Sequence, residues 1–314
     1  MNDSLKEPDF IVFYWTGALP AISELSILSA LNRTKETSIH VYLDSDEGFE
    51  SSIPEGLQWL IGQPRLTFVD FRLAGWIEDE NPKRISRFLS TLRKTLCRAL
   101  NFFSIHKLLV FRNMSKFLSK VLGQWHPIFG FWPRTDPIFS IQLSRAAYRA
   151  DVFRVLVSKK YSGYSLLYSD LDVYFSKPLS QWPLDKSFTY RWAEKPWANS
   201  AILFYHKDRR ETSEFLVREV ASGGSALPWF LFSDTGCEKA GIQVLEVDQF
   251  DPMWSPSSLA FEDSGLFFRE SPLSELFLSE IRTRFLAVHW HNQWAKIPED
   301  QSTFSRLRML EARD

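Results

Sequence analysis

The chain has 314 residues, 45% of them hydrophobic and 24% charged, and its formal net charge is −1. These values fit a globular protein and allow one large α/β domain over residues 1–314 with an insertion inside it. Two cysteines are too few for a disulfide scaffold or a cysteine-based zinc site, and they fit a reducing compartment. No signal peptide or bilayer-spanning run is visible, so we expect a cytoplasmic protein.

The first seventy residues alternate between strand and helix patterns. The apolar run Phe10–Trp15 predicts a buried strand, and the spacing of apolar residues over Ala21–Leu31 predicts a helix. Ser38–Asp44 and Arg65–Asp70 are predicted as two further strands, and both end in an aspartate. This order predicts an open, mostly parallel sheet whose carboxyl edge holds a ligand.

Residues 81–135 differ in charge from the rest of the chain. They contain 11 lysines and arginines, no aspartate and no glutamate, and their apolar residues recur at helical spacing. Such basic amphipathic helices fit contact with an anionic membrane, which would place the protein peripherally on its inner face. They fit equally a helical insertion that packs on the body and keeps its basic face in water. No nucleic-acid partner is expected, because the whole chain is not basic and carries no binding motif.

Strand and helix patterns alternate again after the insertion. Ile141–Lys160 predicts a long helix, and Leu166–Phe175 predicts a central strand. Further strands are predicted at Ser187–Trp192, Asn199–Tyr205 and Gln243–Val247, and helices at Arg209–Val220 and Leu273–Arg284. Phe285–Trp294 is predicted as a closing strand that runs into a cluster of histidine and tryptophan.

Two aspartates are placed in the central strand with a spacing of two. In a regular strand Asp170 and Asp172 would point the same way, because strand side chains alternate between faces. Two like charges at the mouth of a buried strand repel each other and are costly to desolvate, so a compensating cation is expected. Carboxylate oxygens suit Mg²⁺ or Mn²⁺. The alternative is two solvated aspartates in a turn, because D-x-D alone is a weak motif.

Five other residues are candidates for the same site, and most of them have a structural alternative. Asp151 and Arg154 are three residues apart on a predicted helix, where they form a surface ion pair or hold a sugar ring. His289 is a metal ligand or a core histidine in an aromatic cluster, and His291 is a weaker candidate. Trp15 stacks on a nucleotide base or packs at the end of its strand.

The order of several short motifs resembles a known family. They are Phe13-Tyr-Trp15-Thr-Gly17, Val41-Tyr-Leu-Asp44, Ala146-Ala-Tyr-Arg-Ala-Asp151-Val-Phe-Arg154, Tyr168-Ser-Asp170-Leu-Asp172-Val, Asn199-Ser-Ala-Ile, Phe250-Asp-Pro252-Met-Trp and Ala287-Val-His289-Trp-His-Asn-Gln-Trp294. Together they resemble the DXD-containing sugar transferases of glycosyltransferase family 32, which include α-1,4-galactosyltransferases and α-1,6-mannosyltransferases and are related to glucosylating toxins. The resemblance covers most of the chain outside residues 81–135.

This resemblance implies a GT-A fold, a nucleotide-sugar donor, a Mn²⁺ or Mg²⁺ ion and transfer with retention of anomeric configuration. Its implied site residues are Trp15 on the nucleotide base with Trp294 in the same cofactor site, Asp151 and Arg154 on the donor sugar, Asp170 and Asp172 on the metal and ribose, Asn199 near the reacting centre, and His289 on the metal or diphosphate. Of these, Asp151, Arg154 and Asn199 are the candidate catalytic residues.

The resulting hypothesis is a hexosyltransferase of glycan biosynthesis. It would use a UDP-linked sugar and a saccharide or lipid-linked acceptor, without a covalent sugar intermediate, because no nucleophile is evident. One alternative is a haloacid-dehalogenase-type phosphatase, in which Asp170 would be the nucleophile and Asp172 the acid. Another is a non-catalytic membrane-surface protein built on residues 81–135, which leaves the two aspartate motifs unexplained.

Overall fold

The computed structural model describes residues 7–45, 50–71, 146–193, 195–221, 226 and 228–313. The basic insertion predicted at residues 81–135 lies outside the described residues, as do residues 141–145 of the predicted long helix. In the parts of the chain that are described, no helix combines the length and the apolar character needed to cross a membrane.

Nine strands and seven α-helices lie in the described residues. The strands are β1 (Phe10–Thr16), β2 (Ser38–Asp44), β3 (Leu66–Phe71), β4 (Leu166–Ser169), β5 (Val173–Phe175), β6 (Phe188–Arg191), β7 (Ala198–Tyr205), β8 (Gln243–Leu245) and β9 (Ala287–His289). The helices are α1 (Glu24–Asn32), α2 (Ala146–Lys160), α3 (Arg210–Ala221), α4 (Pro228–Leu231), α5 (Asp234–Ala240), α6 (Ser274–Arg284) and α7 (Thr303–Glu311). Short 3₁₀ helices connect several of them, and one of these, Ala21–Ser23, forms the start of the helix that the sequence predicts from Ala21.

Seven strands form one mixed sheet in the order β3-β2-β1-β4-β7-β6-β8. The pairs β1–β2, β2–β3, β1–β4 and β6–β8 are parallel, whereas β7 is antiparallel to both of its neighbours. The predicted α/β class with a mostly parallel sheet is therefore confirmed. The carboxyl ends of β1, β2, β4 and β6 share one edge of the sheet, and the amino end of β7 lies at the same edge.

The two faces of the sheet are covered by different helices. Along β1, Ile11 and Phe13 face the cluster that includes Ile27 of α1, whereas Val12 and Tyr14 face the cluster that includes Phe153 of α2. This alternation is the period of two that a strand imposes on its side chains. Because both faces are covered, β1 reads as a continuous apolar run rather than an alternating one.

The central strand predicted at Leu166–Phe175 is instead two short strands in different sheets. The large sheet contains β4, and β5 pairs antiparallel with β9 in a separate two-stranded sheet through Val173 and His289. Asp170 and Asp172 therefore lie in the turn between β4 and β5, and the prediction that they lie in a regular strand is wrong. The chain has to leave one sheet to enter the other, and this crossing breaks the strand after Ser169.

The predicted closing strand Phe285–Trp294 is also shorter than expected. Only Ala287–His289 is extended and paired, because the backbone turns sharply just beyond it. His291 and Asn292 both have positive φ angles, 50° and 60°, which a continuing strand cannot contain. The strand predicted at Gln243–Val247 likewise ends at Leu245.

Candidate metal and donor site

The turn between β4 and β5 is held by backbone bonds from two directions. The backbone N–H of Asp170 donates to the carbonyl oxygen of Ala201 in β7, at 2.8 Å. On the other side, the backbone N–H of Trp290 donates to the carbonyl oxygen of Asp172 at 3.0 Å, and that of Asn292 donates to its Oδ2 at 2.6 Å. The positive φ of Asn292 aims its N–H at this carboxylate. The sheet edge and the turn after β9 thus fix both aspartates.

His289 brings a nitrogen to the same two carboxylates. One ligand atom from each of Asp170, Asp172 and His289 lies within 4.8 Å of the others. Nε2 of His289 is 3.3 Å from Oδ1 of Asp172, but the two atoms lack hydrogen-bond geometry, and this Oδ1 is buried without a hydrogen-bond partner. A buried carboxylate oxygen without a donor is costly to desolvate, and a bound cation would satisfy it.

The two carboxyl groups have opposite pKa shifts. Burial raises the pKa of Asp170 most strongly, and the positive charge of Arg154 only partly offsets it. Burial also acts to raise the pKa of Asp172, but the interaction with His289, the bond from the Asn292 backbone N–H and attraction to His291 together outweigh it and hold the pKa below its usual range. Adjacent carboxylates resist ionising together, so one of them stays protonated more readily unless a positive charge binds between them.

The other nitrogen of His289 faces a buried polar cluster. Nδ1 lies 2.8 Å from the hydroxyl of Tyr190 and 3.2 Å from Nδ2 of Asn199, which also donates to Tyr190 at 2.8 Å. The Tyr190 hydroxyl lies 3.5 Å from Oδ2 of Asp251, whose side chain is fully buried. For Nε2 to offer a lone pair to a cation, Nδ1 has to carry the proton and donate it to Tyr190, which in turn donates to Asp251.

Arg154 joins Asp170 to the helix α2. Its Nη2 lies 3.3 Å from Oδ1 of Asp170 and 3.4 Å from Oδ1 of Asp151, and its Nη1 donates to the hydroxyl of Ser200. The Tyr168 hydroxyl donates to the same Oδ1 of Asp170 at 2.6 Å. Burial raises the pKa of Asp151 to about 7, although the charge of Arg154 opposes this shift. This guanidinium therefore balances two carboxyl groups in a buried setting.

His291 takes part in a second group beside the first. Its Nε2 lies 2.8 Å from Oδ2 of Asp251 without hydrogen-bond geometry, and Asp251, His289 and His291 form a second set of potential ligands. The imidazole of His291 stacks on Trp254 with ring centroids 3.6 Å apart and an interplanar angle of 18°. Oδ1 of Asp251 accepts a bond from the backbone N–H of Met253 at 3.0 Å.

Trp15 and Trp294 meet edge to face at the carboxyl end of β1, with ring centroids 4.5 Å apart. Both rings are half-buried, and the Trp15 indole N–H donates to the carbonyl oxygen of Ala18 at 2.7 Å. Close by in the sheet, Asp44 at the end of β2 accepts bonds from Tyr14 and pairs with Arg149. An aromatic pair beside a charged cluster is an arrangement that can hold a nucleoside.

The residues predicted from the sequence fall into three neighbouring groups. The structure joins Asp151 and Arg154 to Asp170, joins Asp172 to His289 and Asn199, and places Trp15 against Trp294. Their catalytic and ligand-binding roles stay predictions.

Several partners that connect these groups were not predicted as site residues. They are Tyr168, Tyr190, Ser200, Asp251 and Trp254. Tyr168 lies in β4 two residues before Asp170, and Asp251 lies in the motif Phe250-Asp-Pro252-Met-Trp, so both had a usable signal. Tyr190 has none, because it reaches the site only through the pairing of its strand in the sheet.

The donor set fits a divalent cation. Two carboxylates and an imidazole offer oxygen and nitrogen ligands, and the unpartnered Oδ1 of Asp172 lies among them. The partners of His289 at Nδ1 are those that orient a metal-binding histidine. Mn²⁺ and Mg²⁺ suit such an oxygen-rich set, and both leave coordination positions for water or phosphate oxygens.

Comparison with known proteins gives no sequence relative. No protein-family model matches the chain, and no curated protein sequence matches it.

Structural comparison finds glycosyltransferases. Galactosyltransferase LgtC in complex with donor and acceptor sugar analogs is 14% identical, with 97% of this chain and 95% of that chain covered and a TM-score of 0.41. The bifunctional glycosyltransferase WbbM is 8% identical, with 99% and 50% covered and a TM-score of 0.46. Glycosyltransferase GlyE of Streptococcus pneumoniae is 13% identical, with 98% and 61% covered and a TM-score of 0.42.

Proposed function

We propose that the protein is a metal-dependent glycosyltransferase with a GT-A-like fold that moves a hexose from a nucleotide-sugar to an acceptor hydroxyl. The observation that carries this proposal is the convergence of Asp170, Asp172 and His289 at the carboxyl edge of the sheet, beside the ion-paired Arg154. The same edge of an open α/β sheet is the general place for ligands. A divalent cation and an arginine together suit a diphosphate ligand.

The cation would be Mn²⁺ or Mg²⁺, held by Asp170, Asp172 and His289. When bound, it would supply positive charge to the leaving diphosphate. The Tyr190 hydroxyl would hold the His289 ring in place, Asn199 would hold that hydroxyl by donating to it, and Asp172 is fixed independently by the backbone of Asn292. This rigidity supports charge stabilisation, because preorganised groups need no rearrangement as charge develops.

The donor sugar would be held by Asp151 and Arg154. A carboxylate accepts hydrogen bonds from sugar hydroxyls, and loss or inversion of one hydroxyl would leave a buried polar group unpaired. The pKa of about 7 for Asp151 describes the protein without ligand, and hydroxyl donors to this side chain would favour its charged form. Asn199, in β7, borders the same site, because its side-chain amide lies against Nδ1 of His289.

The nucleotide would lie against Trp15 and Trp294. Their edge-to-face pair is half-buried, so an exposed part of an indole face is available for a planar base. A uridine diphosphate is the donor head group that we propose, as the family resemblance implies. GDP is the comparison that tests this choice.

Transfer is proposed to retain the configuration at C1. The acceptor oxygen bonds to C1 as the bond from C1 to the phosphate oxygen breaks, and that electron pair stays on the diphosphate. The acceptor proton passes to an oxygen of the leaving diphosphate. A protein nucleophile is not part of this scheme, so trapping of a covalent sugar adduct on any side chain would contradict it.

The acceptor is proposed to be a saccharide or a lipid-linked saccharide. The lipid-linked form is supported only by the composition of residues 81–135, which are basic with interleaved apolar residues. Co-sedimentation with vesicles of anionic phospholipid at low salt tests it. Absence of binding to those vesicles would leave the soluble saccharide as the acceptor class.

The experiment that tests the proposed function is turnover of a donor panel. UDP-linked and GDP-linked hexoses are incubated with the protein and Mn²⁺, with water in the place of the acceptor hydroxyl, and slow release of the nucleoside diphosphate is measured with and without a chelator. Chelator-sensitive release from one donor is expected. Release of inorganic phosphate from simple phosphate esters, with no release from any sugar nucleotide, would favour the phosphatase alternative instead.

A further inference from the structure

A cluster of aromatic rings lies at the edge of the sheet that holds the candidate metal site, and the hairpin between β6 and β7 contributes one of them. Trp192 follows β6 directly, and its ring stacks on Trp254 with centroids 5.2 Å apart and an interplanar angle of 24°. Trp254 stacks in turn on His291. All three rings are half-buried, so each keeps some surface in contact with water. We call Trp192, Trp254 and His291 the aromatic platform.

The platform is connected directly to the candidate metal site. The ring centroid of His289 lies 4.1 Å from that of His291 and 6.4 Å from that of Trp254. His291 also lies 2.8 Å from the fully buried carboxylate of Asp251, which approaches the Tyr190 hydroxyl that contacts His289. A ligand on the platform would therefore have one end beside His289 and polar groups within reach.

The strand order separates this platform from the other aromatic pair. Asp170 follows β4, whose neighbours in the large sheet are β1 on one side and β7 on the other, with β6 beyond β7. Trp15 and Trp294 lie at the end of β1, whereas Trp192 lies at the end of β6, which runs parallel to β4. The two aromatic sites therefore flank the carboxylates, one on each side along the same edge.

A glycosyltransferase needs one site for the donor and one for the acceptor, on either side of the sugar carbon at which one bond is replaced by another. The proposed donor occupies the side of Trp15, so the side of Trp192 is left for the acceptor. Aromatic faces pack against the C–H groups of a pyranose ring, while its hydroxyls need polar partners such as Asp251 and His291.

We infer that the aromatic platform of Trp192, Trp254 and His291 binds the terminal pyranose of a saccharide acceptor. This inference rests on the proposed glycosyl transfer. It assigns acceptor binding to residues that are distinct from the donor candidates Trp15, Asp151 and Arg154.

The test is saturation-transfer difference NMR with methyl glycosides as probes. The α- and β-methyl pyranosides of glucose, galactose and mannose are each added to the full chain in the presence of UDP and Mn²⁺. At least one is expected to receive saturation on its ring C–H protons. Trp192→Ala and Trp254→Ala should each weaken its binding by at least about fivefold, whereas Trp254→Phe should retain most of it.

Matched controls separate this inference from the proposed function. Trp59→Ala removes an indole that is 46% exposed and contacts Glu24 in α1, and it should leave glycoside binding unchanged. Calorimetry of UDP with Mn²⁺ on each variant reports the donor site, and Trp192→Ala, whose ring contacts Trp254 and not His289, should bind UDP as the unaltered protein does.

Two results would contradict the inference that the aromatic platform binds the acceptor. One is that no glycoside binds the unaltered protein, and the other is that binding survives both alanine substitutions. If UDP and Mn²⁺ bind normally in either case, only the platform is wrong. If UDP fails to bind with Mn²⁺, the proposed function fails first. Trp192 lies at the start of the loop that follows β6, and its half-buried ring is not part of the core, so its alanine variant keeps the test available even if Trp254→Ala does not fold.

Discussion

Oδ1 of Asp172 and Nε2 of His289 lie 3.3 Å apart in the protein interior, at ion-pair distance but without the geometry of a hydrogen bond, and no other group donates to this Oδ1. The separation is close to that of two neighbouring ligands on one divalent cation, because bonds of about 2.1 Å at right angles put the ligand atoms about 3 Å apart. Both side chains are nearly fully buried. This pair is the strongest structural reason to place a cation beside Asp170.

Replacing Asp172 should remove most of the metal affinity. Asp172→Asn keeps the size of the side chain but loses a charged ligand, so we expect Mn²⁺ affinity to fall by at least about tenfold. Calorimetric titration of Mn²⁺ measures this directly. Asp185→Asn is the matched control, because Asp185 is exposed and lies outside the site. Equal Mn²⁺ affinity in Asp172→Asn and the unaltered protein would remove Asp172 from the proposed site.

Removing the Tyr190 hydroxyl should weaken metal binding without removing a ligand. In Tyr190→Phe, Nδ1 of His289 loses its closest partner, while the ring still stacks on Phe250. We expect a loss of about tenfold in Mn²⁺ affinity, because outer partners of a metal-binding histidine typically contribute this much.

A second buried tyrosine separates positioning from general stability. Tyr174→Phe also deletes a buried hydroxyl, which pairs with Glu311 at 2.8 Å outside the candidate site. It should lower the free energy of unfolding but leave Mn²⁺ affinity unchanged. If both tyrosine variants lost the same affinity, the effect at Tyr190 would be structural and the positioning argument would not hold.

Arg154 should be important for stability as well as for donor binding. It balances Asp151 and Asp170 in the interior, and removing one partner of a buried ion pair typically costs about 3 to 5 kcal/mol. Arg154→Ala should therefore lower the free energy of unfolding by that order, measured with urea. Arg210→Ala, which breaks an exposed pair with Glu214, should change it by less than about 1 kcal/mol. Similar losses in the two variants would contradict the buried role.

The raised pKa of Asp151 predicts a pH-dependent difference in stability. Its pKa is about 7 in the folded protein and about 4 in an unfolded chain, so its contribution is present below pH 4 and is lost as pH rises through 7. Asp151→Asn lacks this loss. Relative to the unaltered protein, the variant should gain at most about 1.4 kcal/mol per pH unit between these values. Urea unfolding at pH 5 and pH 8 measures it, and a pH-independent difference would contradict the assigned burial.

Local patterns were sufficient for much of the fold. Continuous apolar runs identified β1 and β4, and helical spacing identified α6 to within one residue at its start. The pairing of β5 with β9 was not predictable in this way, because it joins Val173 to His289 across more than a hundred residues. That pairing splits the predicted central strand and moves the aspartates into a turn.

The candidate site shows the same division between local and distant information. The D-x-D spacing and the helical spacing of Asp151 and Arg154 could be read directly from the sequence, because each pair lies within a few consecutive residues. The partners Tyr190 and Asp251 come from a separate strand and a loop, and only the folded chain brings them to His289. His291 reaches Asp251 through a turn with positive φ, which a sequence of two non-glycine residues does not predict.

The measurement that tests the central claim most directly is calorimetric titration of UDP into the purified protein, with and without Mn²⁺, repeated with GDP. The account predicts that UDP binds with Mn²⁺, that binding is lost or greatly weakened without the ion, and that GDP binds more weakly. It also predicts that Asp172→Asn abolishes the metal dependence. If neither nucleotide bound with Mn²⁺ or without it, the site at Asp170, Asp172 and His289 would not be that of a sugar-nucleotide transferase.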